Sequence, residues 1–267
     1  MPEPTTRMLL IGDVMGEPGR EALSRLLPGL KQDLRPHLTI VNAENAAGGF
    51  GLTPEIAHEL FRLGADALTS GNHIWDKKQI LPFLDQEPRL LRPANYPEGA
   101  PGRGWQVFEP MVGAPKIGVI NLEGRVYMHT LDDPFSLGRK LLQNVRRETP
   151  LVIIDFHAEI TSEKRALGWY LDGLATAVIG THTHVQTADE EILPGGTAYL
   201  TDVGMTGSRD SVIGVKKEDA IHRFVKQTPS RFTPATGRLW INAALVEADS
   251  ASGKALRIQR IQKSLEA

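Results

Sequence analysis

The chain of 267 residues contains no cysteine, so neither a disulfide nor a thiolate-bound zinc can hold it together. That absence fits a reducing cytosol, and a cytoplasmic protein is expected. Long apolar runs are missing too: none approaches the roughly 20 residues needed to span a bilayer. The polar opening Met1-Pro2-Glu3-Pro4-Thr5-Thr6-Arg7 leads into an apolar stretch too short for a secretory signal. An excess of one charge is lacking, since 30 Lys+Arg against 32 Asp+Glu leave a formal charge of -2. The surface as a whole therefore has no pull on polyanions, and any phosphate must be met by a local site. Aromatics make up only 6% of the chain, and no basic stretch is studded with them as a nucleic-acid-binding face requires. With no repeat, linker or low-complexity tract, residues 1–267 are expected to form one domain around a large core.

What is present is a regular alternation of short apolar runs and helical patterns. Met8-Leu9-Leu10-Ile11 reads as a strand ending at Gly12-Asp13, and residues 20–34 carry leucines at helical spacing, with Pro28 predicting a break or kink. Leu38-Thr39-Ile40-Val41 is a second strand, leading into Asn42-Ala43-Glu44-Asn45 and the flexible Gly48-Gly49-Phe50-Gly51. Thr53-Pro54 predicts a helix start, with Gly64 as its stop, and Ala67-Leu68-Thr69-Ser70 a third strand that delivers Gly71-Asn72-His73. Residues 82–110, rich in proline, read mostly as loop around a short strand at 105–108. Strands follow at 116–122 and 151–156, with a helix at 134–148 between them. A helix at 161–171 capped by Thr161 comes next, then the run Ala175-Thr176-Ala177-Val178-Ile179. A strand at 197–200, the turn Asp202-Val203-Gly204-Met205-Thr206-Gly207, a helix at 216–225 and a last strand at 239–246 complete the pattern.

Gly180-Thr181-His182-Thr183-His184 stands out. In extended chain, residues i and i+2 point the same way, so two imidazoles leave one strand end together, and histidine is the commonest transition-metal ligand. Asp13, Glu44 with Asn45, Asn72 with His73, and His157 occupy four further strand ends. Singly, Asp13 and Asn72 read as turn caps, Glu44-Asn45 as loop polarity and His157 as a hydrogen-bonded core residue. Five strand ends carrying oxygen or nitrogen donors are another matter, because ligands gather at the carboxyl ends of strands in α/β sheets. Seven donors with one bridging exceed the needs of one four-coordinate ion, so a two-metal centre is expected.

The ordered series Gly12-Asp13, Gly71-Asn72-His73 and Gly180-Thr181-His182-Thr183-His184, with His157 alone at a strand end, resembles the calcineurin-like metallophosphoesterases. The strings Asn42-Ala43-Glu44-Asn45, Asp155-Phe156-His157-Ala158-Glu159 and Asp202-Val203-Gly204-Met205-Thr206-Gly207 are similar to the bacterial YmdB branch, and the likeness spans about residues 7–246. It implies a four-layer α/β-β-α sandwich of the α/β class. It also implies two metal ions, one held by Asp13, Asn45 and His184, the other by Asn72, His157 and His182, with Glu44 bridging. A phosphodiesterase acting on 2′,3′-cyclic nucleotides follows, in which the two ions lower the pKa of a shared water that attacks phosphorus and His73 protonates the leaving group. The oxygen-rich donor set favours iron or manganese over zinc alone. Three departures from the broader family stand out: Met15 where a histidine usually follows Asp13, Glu44 where an aspartate usually bridges, and Ile74 where a carboxylate usually follows His73. Asp76 is the substitute orienter expected for His73.

Two other readings are open at this stage. A metal-dependent amidohydrolase also uses a His-x-His pair, though there it usually opens the first strand of a barrel rather than following position 180. A regulatory or RNA-associated protein could keep a structural metal site. Arg125, Arg209 and the 202–207 turn are secondary candidates for phosphate contact, and the sequence leaves a homo-oligomer open.

Overall fold

The computed structural model describes residues 5–110 and 114–265. In chain order it runs β1 (Thr5–Ile11), β2 (Asp13–Val14), α1 (Gly16–Leu34), β3 (Leu38–Asn42), α2 (Pro54–Arg62), β4 (Ala67–Thr69), α3 (Leu81–Gln86), β5 (Trp105–Phe108), β6 (Ile117–Glu123) and α4 (Pro134–Val145). It continues with β7 (Val152–His157), α5 (Thr161–Tyr170), β8 (Ala177–Thr181), β9 (Glu191–Ile192), β10 (Ala198–Leu200), β11 (Met205–Ser208), α6 (Lys217–Lys226), β12 (Leu239–Asp249) and β13 (Ala255–Ser264). One sheet has the order β2-β11-β12-β1-β3-β4, with β13 also paired to β12; the other is β5-β6-β7-β8-β10-β9.

The apolar strands have no polar alternation because both of their faces are covered. Along β1, Met8 and Leu10 point into the space between the sheets, where they meet Val119, Ile153 and Ile179 of the second sheet. Leu9 and Ile11 point outward onto Leu23 and Leu27 of α1 and Leu60 of α2. On the far side, Ile154 and Phe156 pack outward against Leu142 of α4 and Leu167 of α5. Helices, sheet, sheet and helices therefore stack as the four-layer α/β-β-α sandwich the resemblance implied. Local signals set the helix starts: Thr53 Oγ1 accepts from Ile56 N at 3.3 Å, and Asp133 accepts from Phe135 N and Ser136 N at 3.1 Å each.

Several boundaries differ from the sequence expectation. Pro28 does not break α1, which is one helix of 19 residues beginning four residues earlier than expected. Pro28 and Gly29 are exposed, whereas Ala22, Leu23, Leu26, Leu27 and Leu30 form a continuous buried stripe that keeps the helix on the sheet. Thr161 is the first helical residue of α5 and not its cap, a position held by Ile160 without a side-chain bond. α3 lies in the proline-rich stretch expected to be loop. Half of the turn at 202–207 is strand β11, paired with β2 and β12. The final hairpin partner β13 escaped notice because Arg257, Arg260 and Lys263 give it the look of solvated chain, while Ile258 and Ile261 supply its packing. Among the described residues, no helix is long and apolar enough to cross a membrane.

The parallel pairs β1·β3 and β3·β4 in one sheet, and β6·β7 and β7·β8 in the other, point their carboxyl ends to one rim of the sandwich. Buried hydrogen bonds tie the two rims together: Asp155 Oδ2 at the end of β7 accepts from Thr69 Oγ1 of β4 at 2.5 Å and from Asn42 Nδ2 of β3 at 3.2 Å.

Candidate metal centre

Every one of the seven expected ligands arrives at that joint rim. Asp13 follows β1, Glu44 and Asn45 follow β3, Asn72 opens the short 3-10 turn after β4, His157 ends β7, and His182 and His184 follow β8. Two close approaches make this convergence possible. A Cβ on Gly12 would lie 1.9 Å from Gly204 O, and one on Gly71 would lie 2.1 Å from the His157 ring. The strand ends meet only because these two residues have no side chain.

Glu44 sits between two groups of donors. Its Oε1 is 3.1 Å from Asn45 Nδ2 on one side and 3.1 Å from His157 Nε2 on the other. Asn72 Oδ1 is 3.1 Å and His182 Nδ1 3.0 Å from the same His157 nitrogen. On the opposite side His184 Nε2 is 3.3 Å from Asn45 Nδ2 and 3.6 Å from Asp13 Oδ1. Glu44, His157 and His182 offer ligand atoms all within 4.8 Å of one another. Asp13 Oδ1 is buried yet carries no hydrogen bond among the described residues, which a buried carboxylate oxygen tolerates only when another partner is to hand. A cation is the natural partner. The donor set, all oxygen and imidazole nitrogen, fits transition-metal ions; a half-turn of the Asn45 amide would present Oδ1 to the same place.

Each imidazole is oriented by a partner on its other nitrogen. His184 Nδ1 donates to the carbonyl of Ile213 at 2.9 Å, and since a carbonyl can only accept, Nδ1 carries a proton and Nε2 is the nitrogen turned toward Asp13. Thr181 Oγ1 donates to Asp155 Oδ1 at 2.7 Å and so accepts from His157 Nδ1 at 3.0 Å, which turns His157 Nε2 toward Glu44. His182 Nε2 faces Glu159 Oε2 at 3.1 Å, freeing Nδ1. Both histidines of the His-Thr-His loop have positive φ, 96° at His182 and 66° at His184, which non-glycine residues rarely adopt without local compensation. The compensation is Thr183 between them, whose N–H and Oγ1 donate to Asp202 Oδ2 at 3.0 and 2.7 Å.

The electrostatics match a site built for positive charge. Burial alone would raise the Asp13 and Glu44 carboxyls, but the neighbouring imidazoles outweigh it and hold both below the ordinary carboxylate range. Burial works against charge on His157, yet Glu44 and Asp13 prevail and lift it to about 9. His182 goes the other way, to about 3, through burial and the adjacent His157 charge. A proton on His157 Nε2 thus lies between groups that could otherwise share a cation.

His73 stands beside this cluster. Its N–H donates to Glu44 Oε2 at 3.1 Å, its Nδ1 is 2.9 Å from Asp76 Oδ2, and its ring edge meets Phe50 at 5.0 Å between centroids. Asp76 therefore occupies the place expected of an orienter. The Trp75 ring, two residues along, packs on Tyr96 instead. Glu44, His73, His182 and His184 line a cavity of about 730 Å³ that Gly49 and Phe50 also wall. Arg125 and Arg209 do not line it: Arg125 reaches Asp133 at 3.5 Å and Arg209 lies over the Trp240 ring. The 202–207 turn backs the His-Thr-His loop from inside and forms none of the cavity wall. Sequence reading passed over Asp155, Glu159, Thr181 and Thr183 as partners of the histidines. The first two lie in the quoted Asp155-Phe156-His157-Ala158-Glu159 string, where both carboxylates flank the ligand within two residues.

The model of the YmdB-like protein family matches residues 9–261. A 2′,3′-cyclic-nucleotide 2′-phosphodiesterase of Bacillus subtilis is 52% identical over 255 residues, 96% of this chain and 96% of the relative. The crystal structure of a phosphatase from Mycoplasma pneumoniae superposes with a TM-score of 0.90 at 34% identity, covering 97% of this chain and 94% of the other. A 5′-nucleotidase from Candida albicans shares the fold at a TM-score of 0.56 and 12% identity, over 96% of this chain and 50% of that one. The ordered strand-end motifs, the two-sheet sandwich and the match along nearly the whole length place this chain in the YmdB-like protein family.

Proposed function

We propose that this chain is a dinuclear metal-dependent phosphodiesterase acting on 2′,3′-cyclic nucleotides. The observation that carries the reading is the buried Asp13 Oδ1, without a hydrogen bond among the described residues, at a rim where six further oxygen and nitrogen donors arrive from four other strand ends. Asp13, Asn45 and His184 would hold one ion, Asn72, His157 and His182 the other, and Glu44, with a donor group on either side, would serve both. Iron or manganese suits so oxygen-rich a set and, when bound, supplies positive charge that acidifies water and offsets charge on the phosphate.

The chain's own residues then have defined tasks. The Thr181–Asp155 pair, Glu159 and the Ile213 carbonyl fix which nitrogen each histidine presents. His73 lies at the cavity wall, clear of the donor cluster, with Asp76 on Nδ1, so that Nε2 is the atom left to give a proton to the departing ribose oxygen. Phe50 holds the ring from the side. The substrate class is supported by the Bacillus subtilis relative and by a cavity roomy enough for a nucleotide.

The test is metal analysis of the purified protein combined with hydrolysis of bis-p-nitrophenyl phosphate and of adenosine 2′,3′-cyclic phosphate. Two ions per chain and turnover of both esters are expected. Two bound ions with neither ester cleaved under any divalent metal would overturn the reading in favour of a regulatory protein with a structural centre.

A further inference from the structure

The cavity has a second wall that the phosphate chemistry does not use. α6 buries only Ala220 of its ten residues, so it lies on the body by one small contact and leaves large apolar side chains outside. Phe224 is 73% exposed, a costly place for a phenyl ring unless something covers it in use. Arg223, Phe224 and Phe232 line the same cavity as Glu44, His182 and His184, with the Arg223 guanidinium 5.0 Å from the Phe232 ring centroid. Ile213 and Val215 continue this apolar side. The cavity is thus lined both by carboxylate and imidazole groups and by an open aromatic ring and a stacked guanidinium. A phosphate alone needs only the first of these sets.

We propose that Phe224, flanked by Arg223, is the platform on which the nucleobase of the substrate stacks. The inference rests on the cyclic-nucleotide reading above and adds the part of the ligand that the centre itself does not touch. A planar, delocalised base has a face for Phe224 and an edge for a guanidinium, and the ribose spans the interval to the phosphate. Apart from Arg223, the side chains on this wall are apolar, so the platform favours large bases over small ones and reads little of their hydrogen-bonding edges.

The test compares adenosine 2′,3′-cyclic phosphate with methyl riboside 2,3-cyclic phosphate, which keeps the sugar and phosphate but lacks the base. Wild-type protein is expected to prefer the adenosine ester by about tenfold or more in KM, and Phe224→Ala to bring that ratio close to one, the scale of one base–aromatic stack. Phe224→Trp should keep the preference. Val225→Ala, which alters a neighbouring exposed residue outside the cavity wall, should leave it intact. An unchanged preference in Phe224→Ala, or an equal loss in Val225→Ala, overturns the platform. Equilibrium dialysis of adenosine 3′-phosphate against methyl riboside 3-phosphate, with manganese-loaded wild type and Phe224→Ala, reads the base contact without turnover. If no ester is hydrolysed but dialysis shows the Phe224-dependent preference, the catalytic reading fails and the subsite stands. If turnover proceeds with no base preference, the subsite fails and the catalytic reading stands.

Discussion

Lys164 Nζ donates to Asp202 Oδ2 across 2.7 Å, and both side chains are buried. The same Oδ2 accepts from the N–H and hydroxyl of Thr183, while Oδ1 accepts from Gly204 N at 2.7 Å. An ion pair between α5 and the turn before β11 therefore holds the one residue that separates His182 from His184. Its consequence is geometric: the loop is kept in a left-handed conformation that it has no reason to adopt alone.

Replacing Asp202 by Asn leaves the Lys164 ammonium buried without its counter-charge, a loss on the order of 3–5 kcal/mol. A melting transition well below wild type is expected. Thr183→Val, which removes one hydroxyl, should cost about 1 kcal/mol in stability while lowering metal content after dialysis, read by inductively coupled plasma mass spectrometry. If the valine variant held its ions as tightly as wild type, Thr183 would have no part in positioning the histidines.

Glu44 has donors on both sides, so its removal should be felt by both ions. Glu44→Ala is expected to bind none, whereas Asn45→Ala, next to His184 and away from Asn72, should lose chiefly one. The stoichiometry of manganese after gel filtration decides it, and two retained equivalents in the Glu44 variant would remove the bridging role.

His73→Ala should keep its metal content, because the ring lies outside the donor cluster, and lose roughly 100-fold in kcat on a cyclic nucleotide. The loss on bis-p-nitrophenyl phosphate should be far smaller, since p-nitrophenolate leaves without a proton. Equal losses on the two substrates would strip His73 of the proton-donor assignment.

Metal binding should strengthen as pH rises. Although burial opposes it, Glu44 and Asp13 keep a proton on metal-free His157 up to about 9, and ligation must displace that proton. His182, near 3, is already neutral and contributes nothing to this slope. The sign is fixed: manganese affinity climbs from about pH 6 toward about pH 9, with at least one proton released per chain near neutrality, since on His184 too burial opposes the charge but Asp13 prevails and raises it. Titration calorimetry in two buffers of different ionisation enthalpy measures that proton; a flat affinity over this range would refute the account.

Strands, their order along the chain and the donors at their ends were legible because each rests on a short pattern. Four or five apolar residues closed by Gly-Asp, Asn-His or His-x-His are visible without knowing what lies opposite. α1 shows the limit of that method: Pro28 argues for a break or kink, yet the buried stripe from Ala22 to Leu30 against the sheet keeps the helix continuous past it. β13 shows another, since a strand rich in arginine and lysine has no reason to pair until β12 is beside it. Asp76 was reachable as a partner of His73 because it sits three residues along one turn. Lys164 was not: it lies 38 residues before Asp202, on a helix whose pattern offered no hint of a buried ammonium.

By itself the sequence determined which residue types stand at the carboxyl ends of the strands, and hence that oxygen and imidazole donors, never thiolates, are on offer. Only the tertiary structure decided that they meet, which nitrogen each histidine turns inward, and that a phenyl ring on α6 lines the same cavity. The physical reason is range. A strand end is a local event, set by a few neighbouring side chains, whereas an imidazole's orientation depends on a hydroxyl, a carboxylate or a carbonyl brought from another element by packing of the two sheets.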